Sequence, residues 1–315
     1  MIILVTGGSG LVGNAIRTCL NSYKNHKHHK HQWIFIGSKD CDLRDYNKTL
    51  QFVSNLTPDI IIHLAACVGG LYKNINYRKQ MFEDNFLINF NILKIAFELS
   101  IKRVISCLST CVFPDNVTYP ITEENLHSGE PHNSNYPYAY SKRFLEIQSR
   151  IYNELGGNFI CVIPTNLYGL YDNFSLEDGH VIPSLIHKFY LAKQNNSNVT
   201  LLGDGKALRQ FLFVKDLARF ILLLTFEYDG KETFIIAPDD NNEISISSVA
   251  SLISKHIGFT GKIQLNKHFP SGQYKKTASN KKLKKYFPNF KFTNIEDGLQ
   301  ETILWFIINY PNVRM

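Results

Sequence analysis

Residues 2–20 read IILVTGGSGLVGNAIRTCL, an apolar run followed by a glycine-rich turn and the start of a helical pattern. Gly7, Gly10 and Gly13 have the spacing that allows a tight turn, close approach of the backbone to a pyrophosphate, and close packing of the helix. The free N–H groups at the start of that helix then face the phosphates. Because strand, loop and helix follow in this order, the stretch predicts a dinucleotide-binding unit.

Apolar runs and helical patterns alternate along the first half of the chain. The runs predict strands at 2–6, 33–37, 59–65, 103–109 and 159–165, with helices near 11–22, 43–55, 80–100 and 138–155. Strands that are apolar on both faces and separated by helices are typical of a parallel sheet covered on both sides. The predicted fold class is therefore α/β, a doubly wound parallel sheet of the Rossmann type with a smaller α/β lobe.

The second half of the chain is irregular and predicts that smaller lobe. A helix is expected to begin near Val181, with a strand and a helix over 210–224 and further helices near 245–257 and 295–310. We expect the chain to cross between its two parts more than once. The expected division is a cofactor-binding domain of residues 1–166 plus 210–238 and a substrate-binding lobe of residues 167–209 plus 239–315.

The composition is that of an ordinary globular protein. The 315 residues are 44% hydrophobic and 19% charged, and no apolar run approaches the roughly 20 residues of a membrane span. The first strand is expected to begin at Ile2, which leaves no room for a signal peptide, so a cytoplasmic protein without membrane contact is expected.

Cysteine and charge patterns limit the possible ligands. The six cysteines are scattered without a CxxC pair or a zinc spacing, which predicts free thiols and no metal site. The net charge of +7 suits phosphate-rich ligands, but its lysines are spread along the chain, so no nucleic acid partner is expected. The histidine-rich stretch KNHKHHKH (24–31) could bind a transition metal, yet a solvated loop is the favoured interpretation.

A catalytic constellation follows the predicted fourth strand. Ser109 ends the run RVISCLS (103–109), and Tyr138 and Lys142 stand four residues apart in NYPYAYSKR (135–143). A lysine one helical turn away is expected to stabilise the tyrosinate and lower a pKa that is ordinarily about 10. Ser109 would hydrogen-bond the substrate oxygen. These groups predict proton transfer to a carbonyl or alcohol during hydride transfer, which does not require the nearby thiol of Cys111, so Cys111 hints at a second reaction.

The end of the second predicted strand bears on the choice of cofactor. NAD-specific sites typically place an acidic side chain there for the ribose 2′-hydroxyl, whereas this chain has Ser38 and Lys39 before its first acid, Asp40. A serine and a lysine favour a 2′-phosphate and hence NADP(H), with Asp42 and Leu43 near the adenine. A merely solvated basic turn remains the alternative for Lys39.

The chain resembles the extended short-chain dehydrogenase/reductase family over essentially its whole length. The resemblance rests on TGGSGLVG (6–13), HLAACVGG (63–70), CLSTCVFP (107–114), PHNSNYPYAYSKR (131–143), IPTNLYG (163–169), DNFSLEDGHVIPSLIHK (172–188), RQFLFVKDLA (209–218) and SGQYKKTASNKKL (271–283). It is greatest to the bifunctional epimerase–reductases of that family. It implies conversion of GDP-4-keto-6-deoxy-D-mannose to GDP-L-fucose, by epimerisation at C3 and C5 and then reduction at C4 with NADPH.

The resemblance also implies residue roles, including one for the thiol. The family's two acid/base groups on opposite faces of the sugar match Cys111 and His180; without the resemblance, His180 would be interpreted as a helix-capping or buried structural histidine. The implied cofactor contacts, besides Ser38, Lys39, Asp42 and Leu43, are Gly7, Gly8, Ser9, Gly10, Leu11, Val12, Gly13, Leu64, Ala65, Ala66, Tyr138, Lys142, Pro164, Asn166, Leu167 and His180.

The implied substrate contacts are Asn166, Lys188, Leu202, Arg209 and Ser271. Two of them depart from the family pattern, because Ser271 replaces a common Asp and Leu202 replaces a common aromatic residue. A homodimer is also implied, formed by the helices near 80–100 and 138–155.

The same motifs allow two alternatives to the epimerase–reductase. One keeps the fold but makes the protein another NADP-dependent nucleotide-sugar reductase, a 4-epimerase or a dehydratase. The second is a catalytically silent NADP-binding protein. The pairing of STC (109–111) with GHVIP (179–183) disfavours 4-epimerase and dehydratase chemistry, and the presence of both Tyr138 and Lys142 disfavours a silent protein.

Overall fold

The structure, a computed structural model, describes residues 1–22, 30–266 and 274–315. Its strands are β1 (Ile2–Thr6), β2 (Gln32–Ile36), β3 (Ile60–His63), β4 (Arg103–Cys107), β5 (Phe159–Pro164), β6 (Asn166–Tyr168), β7 (Val199–Leu202), β8 (Leu208–Arg209), β9 (Phe211–Phe213), β10 (Phe234–Ile236), β11 (Ile244–Ser245) and β12 (Ile263–Asn266). Its α-helices are α1 (Leu11–Ser22), α2 (Tyr46–Leu56), α3 (Leu71–Asn76), α4 (Arg78–Glu98), α5 (Tyr136–Glu154), α6 (Val181–Gln194), α7 (Val214–Phe226), α8 (Ile246–Ile257), α9 (Lys281–Tyr286) and α10 (Ile295–Asn309).

Six strands form the central sheet, in the order β2–β1–β3–β4–β5–β10. All neighbouring pairs are parallel. Every residue of β3 and β5 is buried, which explains why these runs are apolar except for His63 at the end of β3. The predicted doubly wound α/β fold is confirmed. The edge strand β10 was not predicted, because its three residues are too few for a periodic signal.

The strand order positions the site. β2 lies on one side of β1 and β3 lies on the other, so the order in which the strands are added to the sheet reverses at β1. At such a reversal a crevice opens beyond the carboxyl ends of the strands. The glycine-rich loop follows β1, residues 64–66 follow β3, Ser109 follows β4 and Pro164 ends β5. Candidate residues that are far apart in sequence therefore share one edge of the sheet.

Helices cover both faces of the sheet. α4 packs on α5 and α2 on one face, and α1 packs on α7 on the other. The helix predicted to begin near residue 43 begins instead at Tyr46, because the Asp45 side chain accepts a hydrogen bond from the backbone of Lys48 and caps it. No described helix has both the length and the apolar character needed to cross a bilayer.

A separate hydrophobic cluster lies among α6, α8 and α10. Phe174, Phe189 and Phe306 are fully buried in it. The helices predicted near Val181, 245–257 and 295–310 are confirmed. The short segment between α9 and α10 does not join this cluster, because its Phe287 and Phe290 pack against Phe220 of α7 beside the central sheet.

Candidate active site

The loop after β1 has the shape of a phosphate cradle. Gly7 has a φ of +68°, and a Cβ there would lie 2.7 Å from the backbone nitrogen of Ala65. A Cβ on Gly13 would lie 2.6 Å from Cα of Gly8, so only glycine fits at either position. Ser9, Gly10, Leu11 and Val12 complete the turn into α1, whose first N–H groups remain available to an anion.

A buried polar network fixes the other wall of this crevice. Thr6 Oγ1 accepts from the backbone nitrogens of Leu64 and Ala65, at 3.2 and 3.3 Å. Its own hydrogen is then directed to His63 Nδ1 at 2.8 Å, and His63 Nε2 donates to Asn89 Oδ1 at 3.0 Å. The network therefore holds Leu64 and Ala65, together with Ala66 directly after them, against the glycine-rich loop.

The predicted adenosine end lies after β2. Ser38 and Lys39 are exposed there, while the carboxylate of Asp40 turns back to accept from the backbone nitrogen of Gly37 at 2.7 Å. Two side chains that can bind an anion are thus presented to solvent, while the carboxylate of the nearest acid is engaged with the backbone. Asp42 forms an ion pair with Arg44 at 2.8 Å, which lowers the pKa of its carboxyl to about 2. Leu43 is buried in the core beside α4.

Tyr138 and Lys142 lie on the first turns of α5. Lys142 is 2% exposed, and its Nζ donates to the backbone oxygen of Cys107 at 2.8 Å. That Nζ is 5.9 Å from the centre of the Tyr138 ring. Burial raises the pKa of Tyr138 well above its ordinary value and lowers the pKa of Lys142. The net shift in the pKa of Tyr138 is upward because the cost of burying a charged phenolate dominates, and stabilisation of the phenolate by Lys142 stays a prediction.

Ser109 and Cys111 stand on a short turn after β4. Residues Thr110–Val112 form a single 3₁₀ turn, and Ser109 Oγ accepts from the backbone nitrogen of Cys111 at 3.4 Å. Arg143 of α5 anchors this turn by donating to the backbone oxygen of Val112 at 2.7 Å. Cys111 is 6% exposed, and burial raises the pKa of its thiol, opposed chiefly by the positive charge of Lys276.

Sequence reasoning missed two groups at this site. The thiols of Cys111, Cys107 and Cys67 all lie close enough to Tyr138 to raise its pKa when ionised. Cys67 is held in place by Asn85, which accepts from its backbone nitrogen at 2.8 Å and donates to its backbone oxygen at 2.9 Å. Lys276 comes from the far end of the chain, and burial lowers its pKa. Both lie in stretches that carry the family resemblance, but no role was expected for them, since only the fold brings Cys67 to Tyr138 and Lys276 to Cys111.

His180 stands at the N-cap position of α6, but its side chain does not cap the helix. It is exposed, yet enough protein surrounds the imidazole that loss of solvation lowers its pKa. Neither the capping nor the buried structural interpretation of His180 therefore holds. Its loop reaches α3, where a Cβ on Gly70 would lie 3.4 Å from the backbone oxygen of Asp178. No hydrogen bond joins His180 to Cys111 within the described residues.

The segment after β5 links the crevice to the second cluster. Pro164 is buried, Leu167 packs beside the sheet, and Asn166 Nδ2 donates to the backbone oxygen of Gln210 at 3.0 Å. Gln210, a further residue that the sequence did not reveal, is fully buried and accepts from the backbone nitrogen of Ala278 at 2.8 Å. Gln210 therefore connects the end of β8, where Arg209 lies, to the segment that contains Lys276.

The predicted substrate contacts lie in three places. Arg209 ends β8 and donates to the backbone oxygen of Leu208 at 2.6 Å, and it is close enough to lower the pKa of Lys276. Lys188 lies in a cavity of about 240 Å³ beside α6 and donates to the backbone oxygen of Thr200 at 3.2 Å. Leu202 is 56% exposed at the end of β7. Ser271 lies outside the described residues, as do residues 24–29 of the histidine-rich stretch.

This arrangement has a defined chemical capacity. A phenol, a hydroxyl and a thiol lie beside a buried ammonium, where together they can polarise one carbonyl and remove a proton from the adjacent carbon. Two further cations, Arg209 and Lys276, suit a diphosphate. A glycine cradle on the same sheet edge suits a dinucleotide.

Comparison with known proteins gives a consistent result. The family model described as "NAD dependent epimerase/dehydratase family" matches residues 3–237. The GDP-L-fucose synthase of Dictyostelium discoideum is 45% identical over 313 residues, covering 99% of this chain and 97% of that protein. The probable GDP-L-fucose synthase of Drosophila melanogaster is 39% identical over 320 residues, covering 99% of each. A crystal structure of a GDP-L-fucose synthetase from Naegleria fowleri bound to NADP superposes with a TM-score of 0.94 at 45% identity, covering 100% of this chain and 95% of that one.

Proposed function

The chain belongs to the NAD dependent epimerase/dehydratase family and to the GDP-L-fucose synthases within it, and from that membership we propose that it converts GDP-4-keto-6-deoxy-D-mannose to GDP-L-fucose. It is an NADP-dependent epimerase–reductase. The observation that supports two reactions at one site is the buried thiol of Cys111, held on the same turn as Ser109 and beside Tyr138. Reduction alone does not require that thiol.

The residues on the edge of the sheet fit NADP. Gly7 and Gly13 leave the space that a pyrophosphate needs, the start of α1 supplies N–H donors, and Ser38 and Lys39 are free to meet a 2′-phosphate. When bound, the reduced cofactor supplies the hydride that C4 receives. We propose that Tyr138, Lys142, Pro164, Asn166, Leu167 and His180 surround its nicotinamide end, with Gly8, Ser9, Gly10, Leu11, Val12, Leu64, Ala65, Ala66, Asp42 and Leu43 along the remainder.

Epimerisation requires acid/base groups on both faces of the sugar. The C4 carbonyl acidifies the protons on C3 and C5, and we assign their removal to the thiolate of Cys111. Ser109 Oγ and Tyr138 Oη stabilise the enolate oxygen by hydrogen bonding. His180 returns a proton to the carbon from the opposite face, so each centre inverts with no net change in protons or electrons.

Reduction follows at the same oxygen. As hydride reaches C4, the Tyr138 hydroxyl donates its proton to O4, which completes the alcohol. The buried ammonium of Lys142 stabilises the resulting phenolate and is positioned by its hydrogen bond to the Cys107 carbonyl. The overall step consumes one hydride and one proton, and the tyrosine recovers its proton from solvent.

Substrate binding is assigned to the second part of the chain. Arg209 and Lys188 would bind the diphosphate, Asn166 the sugar, and Leu202 and Ser271 the nucleoside. We propose that residues 167–209 and 239–315 form this lobe and that residues 1–166 and 210–238 bind NADP. The separate hydrophobic cluster among α6, α8 and α10 supports the division.

We propose a homodimer built on α4 and α5. Phe82, Phe86 and Phe90 stack along α4 at centroid distances of 5.9 and 5.8 Å, and Phe144 of α5 packs against Phe86 at 5.3 Å. Phe90 and Phe144 remain 39% and 49% exposed. We also propose a reducing compartment such as the cytoplasm, because all six cysteines are free thiols.

The decisive experiment supplies GDP-4-keto-6-deoxy-D-mannose and NADPH to the purified protein and identifies the product by NMR. We expect GDP-L-fucose with one NADPH oxidised per sugar. In deuterated water, the product should contain deuterium at C3 and C5. A product reduced at C4 without inversion would assign a simple reductase, and an unchanged sugar would refute the proposal.

A further inference from the structure

Two consecutive residues of α5 hold the segment 107–112, which contains the turn that presents the thiol. Lys142 Nζ donates to the backbone oxygen of Cys107, the last residue of β4, at 2.8 Å. Arg143 Nε donates to the backbone oxygen of Val112, the last residue of the 3₁₀ turn, at 2.7 Å. The segment is thus fixed to one helix at both of its ends.

The hydrogen bonds inside this turn are long. They join the backbone nitrogens of Cys111, Val112 and Phe113 to oxygens of Ser109 and Thr110, at 3.4, 3.1 and 3.3 Å respectively. N–H···O bonds in proteins ordinarily measure about 2.9–3.0 Å, so the turn is weakly held from within. The bond that it receives from α5 is shorter, at 2.7 Å, and its charged donor makes it stronger.

The burial of Arg143 is costly to the folded protein. The residue is 6% exposed, and its guanidinium carbon lies 5.5 Å from the centre of the Tyr140 ring. Its Nη2 is buried with no hydrogen-bond acceptor among the described residues. Burial of a charged group that is only partly hydrogen-bonded costs free energy, whereas a methionine of similar length would fill the same space without that cost. The bond to the turn is therefore the contact that distinguishes the arginine from an apolar residue here.

The phenol of Tyr138 is fixed to the same part of α5. Ser141 Oγ donates to the backbone oxygen of Tyr138 at 2.7 Å, and Asn89 Nδ2 of α4 donates to the backbone oxygen of Ser141 at 3.3 Å. Lys142 Nζ lies 5.9 Å from the centre of the Tyr138 ring. The helix thus sets the position of the phenol, while Arg143 sets the position of the turn relative to that helix.

We propose that Arg143 is a positioning residue for Cys111, which holds the turn where the thiolate reaches the C3 and C5 protons of a sugar whose O4 is bound by Tyr138. This inference rests on the proposed function, because it takes Cys111 as the base. Arg143 contacts a backbone carbonyl and acts through the turn. A reacting group misplaced by about 1 Å can slow a reaction by roughly 100-fold, so a weakly held turn needs such an anchor.

Two uncharged replacements separate the hydrogen bond from the charge. Arg143→Gln places its amide nitrogen Nε2 the same number of bonds from the backbone as the arginine Nε, so it can donate to the turn without a positive charge. Arg143→Met has a similar length and no donor. Arg150→Met is the matched control, because it removes from the same helix an arginine whose side chain is 56% exposed and paired with Glu146.

Each variant of the full chain is incubated with GDP-4-keto-6-deoxy-D-mannose and NADP in deuterated water, so that proton exchange is measured without hydride transfer. We expect Arg143→Met to slow deuterium incorporation at C3 and C5 about 10-fold through kcat, with KM and NADP affinity within about twofold of the parent. Arg143→Gln should stay within about 3-fold of the parent, because the donor to the turn is retained. Arg150→Met should exchange at the parental rate.

A double variant tests whether the arginine acts through the thiol. Once Cys111→Ser has removed the thiol, loss of its anchor has little left to disturb. The protein with both Arg143→Met and Cys111→Ser should therefore exchange within about twofold of Cys111→Ser alone. A further loss of about 10-fold in the double variant would show that Arg143 acts on another group, contrary to the inference.

An Arg143→Met protein that exchanges at the parent's rate would also overturn the inference. So would an Arg143→Gln protein that loses as much as Arg143→Met, since the donor to the turn would then not matter. Failure of Arg143→Met to fold, or an equal loss of NADP affinity, would assign Arg143 a role in stability instead. If the parent protein itself shows neither exchange nor reduction, the proposed function fails, and that outcome is distinct from failure of the positioning role.

Discussion

Cys111 is the residue whose chemistry separates this site from a simple reductase site. Burial raises the pKa of its thiol, so the thiolate is scarce near neutral pH, and the charge of Lys276 partly offsets this. A serine hydroxyl at the same place is a far weaker base. We expect Cys111→Ser to reduce deuterium incorporation at C3 and C5 by roughly 100-fold or more while NADP binding is retained. Mass spectrometry of the recovered sugar nucleotide measures the exchange.

A neighbouring thiol supplies the control for that variant. Cys107 also lies near Tyr138, but burial raises its pKa to about 11 and its carbonyl, not its thiol, contacts Lys142. We expect Cys107→Ser to exchange normally. Undiminished exchange in Cys111→Ser would remove Cys111 from the mechanism.

Tyr138 is expected to be needed for hydride transfer. Its hydroxyl is the proton donor that we propose for O4, and the high pKa produced by burial keeps it protonated across the neutral range. We expect Tyr138→Phe to reduce NADPH oxidation by about 10²–10⁴-fold. Tyr140→Phe, two residues along α5, is the matched control and should oxidise NADPH at the parental rate. Near-normal oxidation by Tyr138→Phe would contradict the assignment.

Lys39 tests the basis of cofactor choice. Its side chain is exposed at the end of β2, where it can meet a 2′-phosphate. We expect Lys39→Ala to weaken NADPH binding about 10-fold, or about 1.4 kcal/mol, and to leave NADH binding unchanged. Lys48→Ala, an exposed lysine paired with Asp45 on the next helix, controls for general charge loss. Titration by fluorescence gives both affinities, and equal weakening of NADPH and NADH would show that Lys39 does not contact the phosphate.

Site residues could be predicted from the sequence where they lie close together along the chain. Tyr138 and Lys142 share one helical face, and Ser109 and Cys111 share one turn, so each pair could be found from sequence. Cys67 and Lys276 could not, because the proximity of Cys67 to Tyr138 and of Lys276 to Cys111 depends on how distant segments of the fold pack together. The effect of burial on Tyr138 was also hidden, since a sequence does not show how little solvent reaches a side chain.

At the scale of elements, the network Thr6–His63–Asn89 joins β1, β3 and α4 behind the cofactor crevice. Burial lowers the pKa of His63 to about 3, so the folded protein keeps this histidine neutral. The unfolded chain binds a proton near pH 6.5. The resulting stability is therefore complete above pH 6.5 and is lost as the pH falls toward 3.

The size of this effect can be measured. Between pH 6.5 and 5, His63 should lower the free energy of unfolding by about 2 kcal/mol. The glutamine of His63→Gln does not titrate. The free energy of unfolding of the variant should therefore fall by about 2 kcal/mol less than that of the parent over the same pH range, although the variant is less stable at neutral pH. Urea unfolding at a series of pH values gives both curves. Parallel curves for parent and variant would show that His63 does not govern the acid sensitivity.

Long elements were predictable and short ones were not. The helices α4, α5, α8 and α10 each contain several turns of periodic pattern, and each was expected within a few residues of its observed bounds. By contrast, β10 has three residues and pairs with β5 across about seventy residues of chain. α3 and α9 have six residues each, which is too few for a helical period to be distinguished from a loop.

At the scale of the whole molecule, α4 and α5 present exposed apolar side chains on the side where we propose the partner subunit. The exposed faces of α4 and α5 contain Phe90, Phe144 and Ile151, with exposures of 39, 49 and 47%, and Leu155 directly after α5 is 64% exposed. The sequence predicted these two helices as an interface only through family resemblance. The apolar faces of the two helices adjoin each other only in the folded protein, because α4 packs along α5.

The dimer proposal gives a direct prediction. Burial of a phenylalanine side chain contributes about 1.5–3 kcal/mol, and a two-fold interface buries each one twice. A glutamate at the centre of such an interface would place two like charges there without counterions. We therefore expect Phe144→Glu to sediment as a monomer at micromolar concentration, where the parent sediments as a dimer. Leu304→Glu, on the 58% exposed site of α10, is the control for adding a charge to apolar surface and should remain dimeric. A monomeric parent, or a dimeric Phe144→Glu, would contradict the assignment of α4 and α5 as the interface.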